Sequence, residues 1–177
     1  MKKIVSAALL LGLTACAEVP PQAPANQLAF NDFEGLDGWT GDLALPSLTK
    51  EHAHSGAYAV RVADGLEFSL GYRTVLRKLG DNKLRKIKVQ AWVYVPSPKA
   101  SCMLVTEVRN KGEDKTALWD GIRLTDVAKV QNRWVRVEKE IVLPATATPE
   151  SQLQVYLWRS TSPQPTYLDD LRISRVE

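Results

Sequence analysis

Ile87-Lys88-Val89-Gln90-Ala91-Trp92-Val93-Tyr94-Val95 alternates aliphatic residues with polar or aromatic ones without a break. A period of two sends successive side chains to opposite faces of a strand, so this stretch reads as a strand with one face in a core. The pattern recurs downstream. Leu153, Val155 and Leu157 alternate with Gln152, Gln154, Tyr156 and Trp158, and Val135, Val137 and Ile141 oppose Arg136, Glu138 and Glu140. Further strands are expected over residues 28–33, 58–62, 66–76, 102–108 and 167–173. Turn-forming residues separate them, among them Gly35, Asp37-Gly38, Ser55-Gly56, Asp64-Gly65, Gly80-Asp81-Asn82, Pro96-Ser97-Pro98, Asn110-Lys111-Gly112 and Ser162-Pro163. Only residues 78–88 leave room for a short helical turn. Many strands, short turns and no sustained 3.6-residue period predict an all-β domain, a two-sheet antiparallel β-sandwich.

The amino terminus has a different character. Lys2 and Lys3 precede an apolar run from Ile4 to Leu13, the length of a signal-peptide core and too short to span a bilayer. Leu13-Thr14-Ala15-Cys16 follows and resembles the lipobox of bacterial lipoproteins, with a branched apolar residue three before the cysteine and small residues between. That resemblance implies cleavage after residue 15 and lipidation of Cys16, with the multiple acyl chains that stable anchoring needs. Ala17 stands where an aspartate would signal inner-membrane retention, so the expected location is the cell envelope, at the outer membrane in a Gram-negative host. Residues 16–27 hold the lipidated cysteine and a Pro/Ala/Gln-rich spacer, and residues 28–177 form one domain.

The chain of 177 residues carries a formal charge of +3, and losing Lys2 and Lys3 with the signal brings it near neutrality. Nothing in it points to nucleic acid. With Cys16 lipidated, Cys102 has no partner for an intrachain disulfide and reads as a small buried residue on a strand.

Several short motifs run in a telling order: Phe33-Glu34, Gly38-Trp39, His54-Ser55-Gly56-Ala57-Tyr58, Lys88 to Val93, Trp134-Val135, and Tyr167-Leu168-Asp169-Asp170-Leu171. Together they resemble the galactose-binding-like jelly-roll superfamily, and in particular the carbohydrate-binding modules of bacterial xylanases and cellulases, over residues 28–177. The resemblance implies a jelly roll with a structural calcium ion, and often a glycan cleft on one sheet. It assigns Asp169 and Glu34, with main-chain oxygens near the His-Ser-Gly turn, as calcium ligands; Glu51 is a further candidate. It also makes Trp39 and Trp134 structural caps of the core.

The residues themselves bear on the same sites. Asp169 shares a strand phase with Leu171 and Ile173; if those face the core, a buried carboxylate needs hydrogen bonds, an arginine or a metal. Calcium takes six to eight oxygens in loose geometry and suits such a place. His52 and His54 lack a third ligand for a transition-metal site, and His54 reads as a turn residue. Gln90, Trp92, Tyr94, Gln154, Tyr156 and Trp158 fall on the non-core phases of two strands. Flat rings and planar amides suit sugar C–H faces and hydroxyls. If the two strands share a sheet, these six residues form one glycan platform, flanked by Glu107 and Arg109, with Trp119 an edge contact in a loop.

The carboxylate pairs Glu113/Asp114, Asp120/Asp126 and Glu138/Glu140 occupy charge-rich turns and strands. No nucleophile elbow, phosphate loop or zinc signature accompanies them. The expected protein is therefore a non-catalytic, lipid-anchored lipoprotein that binds polysaccharide or oligosaccharide; the alternative is an envelope lipoprotein that holds a protein partner on the same fold. A groove lined by two or three rings favours the first reading and a broad apolar patch the second.

Overall fold

The computed structural model describes residues 23–36, 46–80 and 83–177. The expected signal segment, Cys16 and Trp39 lie outside the described residues.

Among the described residues ten strands form two antiparallel sheets. The first sheet holds β1 (Gln27–Asn31), β2 (Leu48–Thr49), β3 (Ala59–Val62), β5 (Lys86–Tyr94), β8 (Trp134–Val142) and β10 (Thr166–Val176), in the order β2-β3-β10-β5-β8. Strand β1 lies beside β10, on the edge that β3 occupies further along. The second sheet holds β4 (Tyr72–Val75), β9 (Gln152–Trp158), β6 (Met103–Arg109) and β7 (Thr116–Arg123), side by side in that order.

The cleanest alternations form ladders without a bulge, β5 with β8 and β9 with β4 and β6. On β5, Ile87, Val89, Ala91 and Val93 are buried while Lys88, Gln90, Trp92 and Tyr94 remain partly exposed. Strand β9 repeats this with Leu153, Val155 and Leu157 inside. These side chains meet Val60, Val62, Leu104, Val108, Leu168 and Ile173 in one core between the sheets. Full burial of each large aliphatic side chain is worth about 1.5–3 kcal/mol, so a one-residue slip of β5 or β9 would forfeit several such terms together. Cys102 belongs to that core, and burial pushes its thiol pKa up.

Three expectations need correction. The segment over residues 66–76 is not one strand: only Tyr72–Val75 enters the ladder, followed by a 3₁₀ turn at Leu76–Leu79. Trp119 is not in a loop but on β7, where little apolar burial marks the strand phase. Asp169 does not share its face with Leu171 and Ile173. Asp169 pairs with Trp92 and Arg172 with Gln90, so Asp170 and Leu171 together oppose one residue of β5. This β-bulge, with Asp170 at φ 50°, reverses the phase at the point where β10 exchanges β3 for β1.

Candidate functional site: a cleft on the four-stranded sheet

The six expected platform residues do not share a face. Gln90, Trp92 and Tyr94 lie on the outer face of the six-stranded sheet; Gln154, Tyr156 and Trp158 lie on the outer face of the four-stranded sheet, across the core. Alternation reports whether a side chain faces in or out, but two sheets offer two outsides.

On the six-stranded sheet the rings already have partners. A turn over residues 50–58 folds across them. His54 stacks on Trp92 with centroids 3.9 Å apart, and His52 stacks on Tyr94 at 4.3 Å. Trp134 meets His54 and Tyr94 edge-on, so it braces this turn on the outer face and does not cap the core. Gln90 donates to Glu138 at 2.8 Å, and Lys86 and Lys88 pair with Glu138 and Glu140. A groove of about 870 Å³ does run along this face, past Phe30, Lys88, Gln90, Trp92, Arg136 and Arg172. Its second ring, Phe30, lies under the Arg172 guanidinium at 4.8 Å.

Carboxylates hold that turn. Asp169 is wholly buried, and its Oδ2 accepts the main-chain N–H of His54 (2.8 Å) and Ser55 (3.1 Å), while Oδ1 accepts that of Asp170 (2.7 Å). Asp170 accepts from Ser55 Oγ at 2.9 Å and lies 2.6 Å from His54 Nδ1. Glu34 Oε1 accepts the N–H groups of Ala57 (2.9 Å) and Tyr58 (2.7 Å). Gly56 allows this approach: it sits at φ 56°, and a Cβ there would lie 2.3 Å from Glu34 Cδ.

The fit to calcium is partial. Glu34 and Asp169 converge on one turn, but Glu51 does not join them; it binds Arg61 and accepts the Tyr167 hydroxyl at 2.7 Å. Both contacts draw the Glu51 pKa down, whereas burial, aided by Glu51, pushes the Tyr167 phenol up to about 12. Among the described residues no three of His, Cys, Asp and Glu come together as a metal-binding group. Burial pushes the Asp169 carboxyl above its usual range against the pull of its N–H donors, and Asp170 beside it adds to the rise. A cation would relieve that burden.

The four-stranded sheet presents a different outer face. One row across it runs Arg73 on β4, Gln154 on β9, Glu107 on β6 and Trp119 on β7. Tyr156 and Trp158 follow on β9, and Arg109 pairs with Gln152. Phe68 bridges to Trp158 from the irregular segment before β4 and is 54% exposed. The rings form two edge-on pairs: Phe68 meets Tyr156 at 5.7 Å, and Trp119 meets Trp158 at 5.9 Å. Trp158 Nε1 is fixed on Glu67 at 2.6 Å. Gly71 lets the Phe68 segment close on the sheet, since a Cβ there would lie 2.3 Å from the Val155 carbonyl oxygen.

This face encloses a groove of about 710 Å³ lined by Phe68, Tyr72, Arg73, Glu107, Gln154 and Tyr156, among others. Its polar groups are pre-set. Glu107 is buried and accepts from Arg109 Nε, Thr116 Oγ1 (3.3 Å) and the Tyr156 hydroxyl (3.0 Å). Burial first, and Glu107 second, push the Tyr156 phenol up, so it keeps its proton and donates. Arg73 Nε and Nη2 both donate to Gln154 Oε1, and Gln154 Nε2 donates to Gln152. Rings for C–H faces and fixed amides and guanidinium for hydroxyls therefore line one open cleft. Glu107 and Arg109 flank it as expected from the pairing of β6 with β9. Phe68 and Arg73 were not expected: Phe68 shares a strand phase with Leu66, Leu70 and Tyr72 as a core residue would, but the segment before β4 is irregular and Phe68 is exposed.

No family model matches the chain, and no curated protein matches it. Solved structures do. The CBM22-1 xylan-binding domain from Paenibacillus barcinonensis Xyn10C is 20% identical with a TM-score of 0.55, covering 88% of this chain and 99% of its own. The CBM22-2 xylan-binding domain of the same protein is 18% identical with a TM-score of 0.53, over 84% of this chain and 99% of its own. A family 16 carbohydrate-binding module is 19% identical with a TM-score of 0.52, over 80% and 92%. At this identity the likeness speaks to architecture, and the chain has the jelly-roll β-sandwich fold of carbohydrate-binding modules.

Proposed function

We propose that this chain is a non-catalytic glycan-binding lipoprotein whose ligand lies in the cleft on the four-stranded sheet. The observation that carries the reading is the edge-on pair Phe68 and Tyr156 beside Arg73, Gln154 and Glu107 in one open groove of one sheet, with Trp158 further along the same face outside the groove lining. Glu107 is the one carboxylate among the described residues lining that groove, and its oxygens are committed to three donors. A glycosidase of the usual kind needs two carboxyl groups about 5–9.5 Å apart. The solved neighbours named as xylan-binding make xylan the first probe. The full-length protein in detergent should retain xylan or another polysaccharide on a glycan array with a Kd of micromolar to millimolar order, and a protein that retains none would defeat the proposal.

The same proposal places the domain on a membrane through Cys16, at the outer membrane in a Gram-negative host. In cells fed a palmitate analogue, the wild-type protein should carry label and Cys16→Ala none; equal label in both would remove the anchor. We also propose a structural calcium at the 54–58 turn, held by Glu34 and Asp169 with main-chain oxygens and without Glu51.

A further inference from the structure

We propose that the cleft prefers glycans bearing carboxylates, the uronic acids, and that Arg73 is the group that reads the charge. The inference rests on the glycan reading of the cleft and narrows its ligand class. Two guanidinium groups, Arg73 and Arg109, line the groove, and both are exposed. Their surroundings differ. Arg109 lies against buried Glu107, whose negative charge balances it. Arg73 has no ion pair among the described residues; it rests on the neutral Gln154 side chain at 3.1 and 2.7 Å.

The charge of the lining is therefore positive and concentrated at Arg73. Gln154 takes the Nε edge and one Nη2 hydrogen, which leaves the Nη1 end of the fork free to donate. A guanidinium held flat in this way matches a carboxylate with parallel, charge-assisted hydrogen bonds, and it is preorganised for them. Across the same strand pairing, Tyr156 lies one inward-outward step from Gln154, beside Phe68. A pyranose ring stacked on those rings would bring a substituent of the sugar toward Arg73. For neutral sugars a lone uncompensated cation adds little over an amide; for a uronate it adds attraction that salt screens.

The test measures full-length protein in detergent against glucuronic-acid-substituted xylan, polygalacturonate and alginate, each beside the same polymer with its carboxyls reduced to hydroxymethyl groups. At least one acidic polymer should bind about tenfold tighter than its reduced partner at low salt, with the gap closing as salt rises. Arg73→Gln, shown by its melt to be folded, should bring that ratio close to one. Equal binding of acidic and reduced polymers would overturn the charge preference and leave the glycan cleft standing. An unchanged ratio in Arg73→Gln would overturn the role of Arg73. Binding to none of the six polymers, nor to neutral xylan, would overturn both this inference and the proposed function.

Discussion

Replacing Asp169 with alanine should lower the melting temperature by about 10 °C, a loss on the scale of emptying a core position. The carboxylate is wholly buried and accepts three main-chain N–H groups, those of His54, Ser55 and Asp170. Alanine leaves those donors without an acceptor where water has little access, and each buried unsatisfied group costs about 1–3 kcal/mol. Partial relaxation brings the sum to about 3 kcal/mol, and in a chain of this size each kcal/mol moves the melt by about 2–4 °C. Asp169→Asn keeps one good acceptor and should lose roughly half as much. Glu34→Ala should lose less than Asp169→Ala, because the Ala57 N–H it serves is exposed and water can replace the carboxylate. The same melts test the ion. If calcium is bound, chelation lowers the wild-type melt and added calcium restores it, since an ion held only by the folded state stabilises by mass action. Asp169→Ala should then respond to neither. A wild-type melt, in protein shown to be metal-free, that added calcium leaves unchanged would retire calcium and leave the hydrogen bonds as what holds the turn. A melt of Asp169→Ala equal to wild type would contradict the hydrogen-bond argument itself.

Why the position of Asp169 was misread shows where strand patterns stop being informative. Alternation is a local property, and it survives wherever the pleat is regular. Strands β5 and β9 were legible because their aliphatic residues keep one phase from end to end, and β8 because Val135, Val137 and Ile141 hold theirs despite Lys139 between them. The bulge at Asp170 breaks the phase of β10 with a single left-handed residue, and an aspartate in Asp169-Asp170 gives no clear sign of it; aspartate tolerates that conformation but adopts it in few places. The result, a buried carboxylate satisfied by hydrogen bonds, was among the alternatives open from the sequence, though for a different geometry. Strand β7 was hidden for another reason. Its face toward solvent is as apolar as its inner one, and Asp120-Gly121 within it has the composition of a turn. The site was half legible. The outward phase of Gln154, Tyr156 and Trp158 and the adjacency of Glu107 and Arg109 were legible, but Phe68 lies in an irregular segment with no period to read, and no sequence pattern pairs Arg73 on β4 with Gln154. Gln90, Trp92 and Tyr94 were assigned to the same platform because no sequence pattern says which of two sheets a strand joins.

That division between the sheets makes the second large effect a contrast between two aromatic residues. Tyr156→Ala should weaken glycan binding on the order of tenfold or more, because it removes both the central ring of the cleft and the hydroxyl that Glu107 holds at 3.0 Å. Tyr156→Phe keeps the ring and loses only that hydrogen bond, so it should fall between. Trp92→Ala should behave in the opposite way. Its ring lies across the core from the cleft and under His54, with centroids 3.9 Å apart. Removing it strips the 50–58 turn of its main stacking surface and should lower stability by about 2 kcal/mol, below the cost of a fully buried tryptophan because the ring is only partly covered. Its glycan Kd, measured at a temperature where the variant stays folded, should match wild type. Calorimetric titration with xylan, or with the best binder on the array, beside a thermal melt of each variant separates the outcomes. If Trp92→Ala melts normally and loses the sugar while Tyr156→Ala retains it, the ligand lies in the groove of the six-stranded sheet, beneath the histidine turn, and the cleft on the four-stranded sheet is not the site. Loss of binding in both folded variants would require a ligand that contacts opposite faces of the sandwich, which a single glycan chain reaches only by wrapping around an edge.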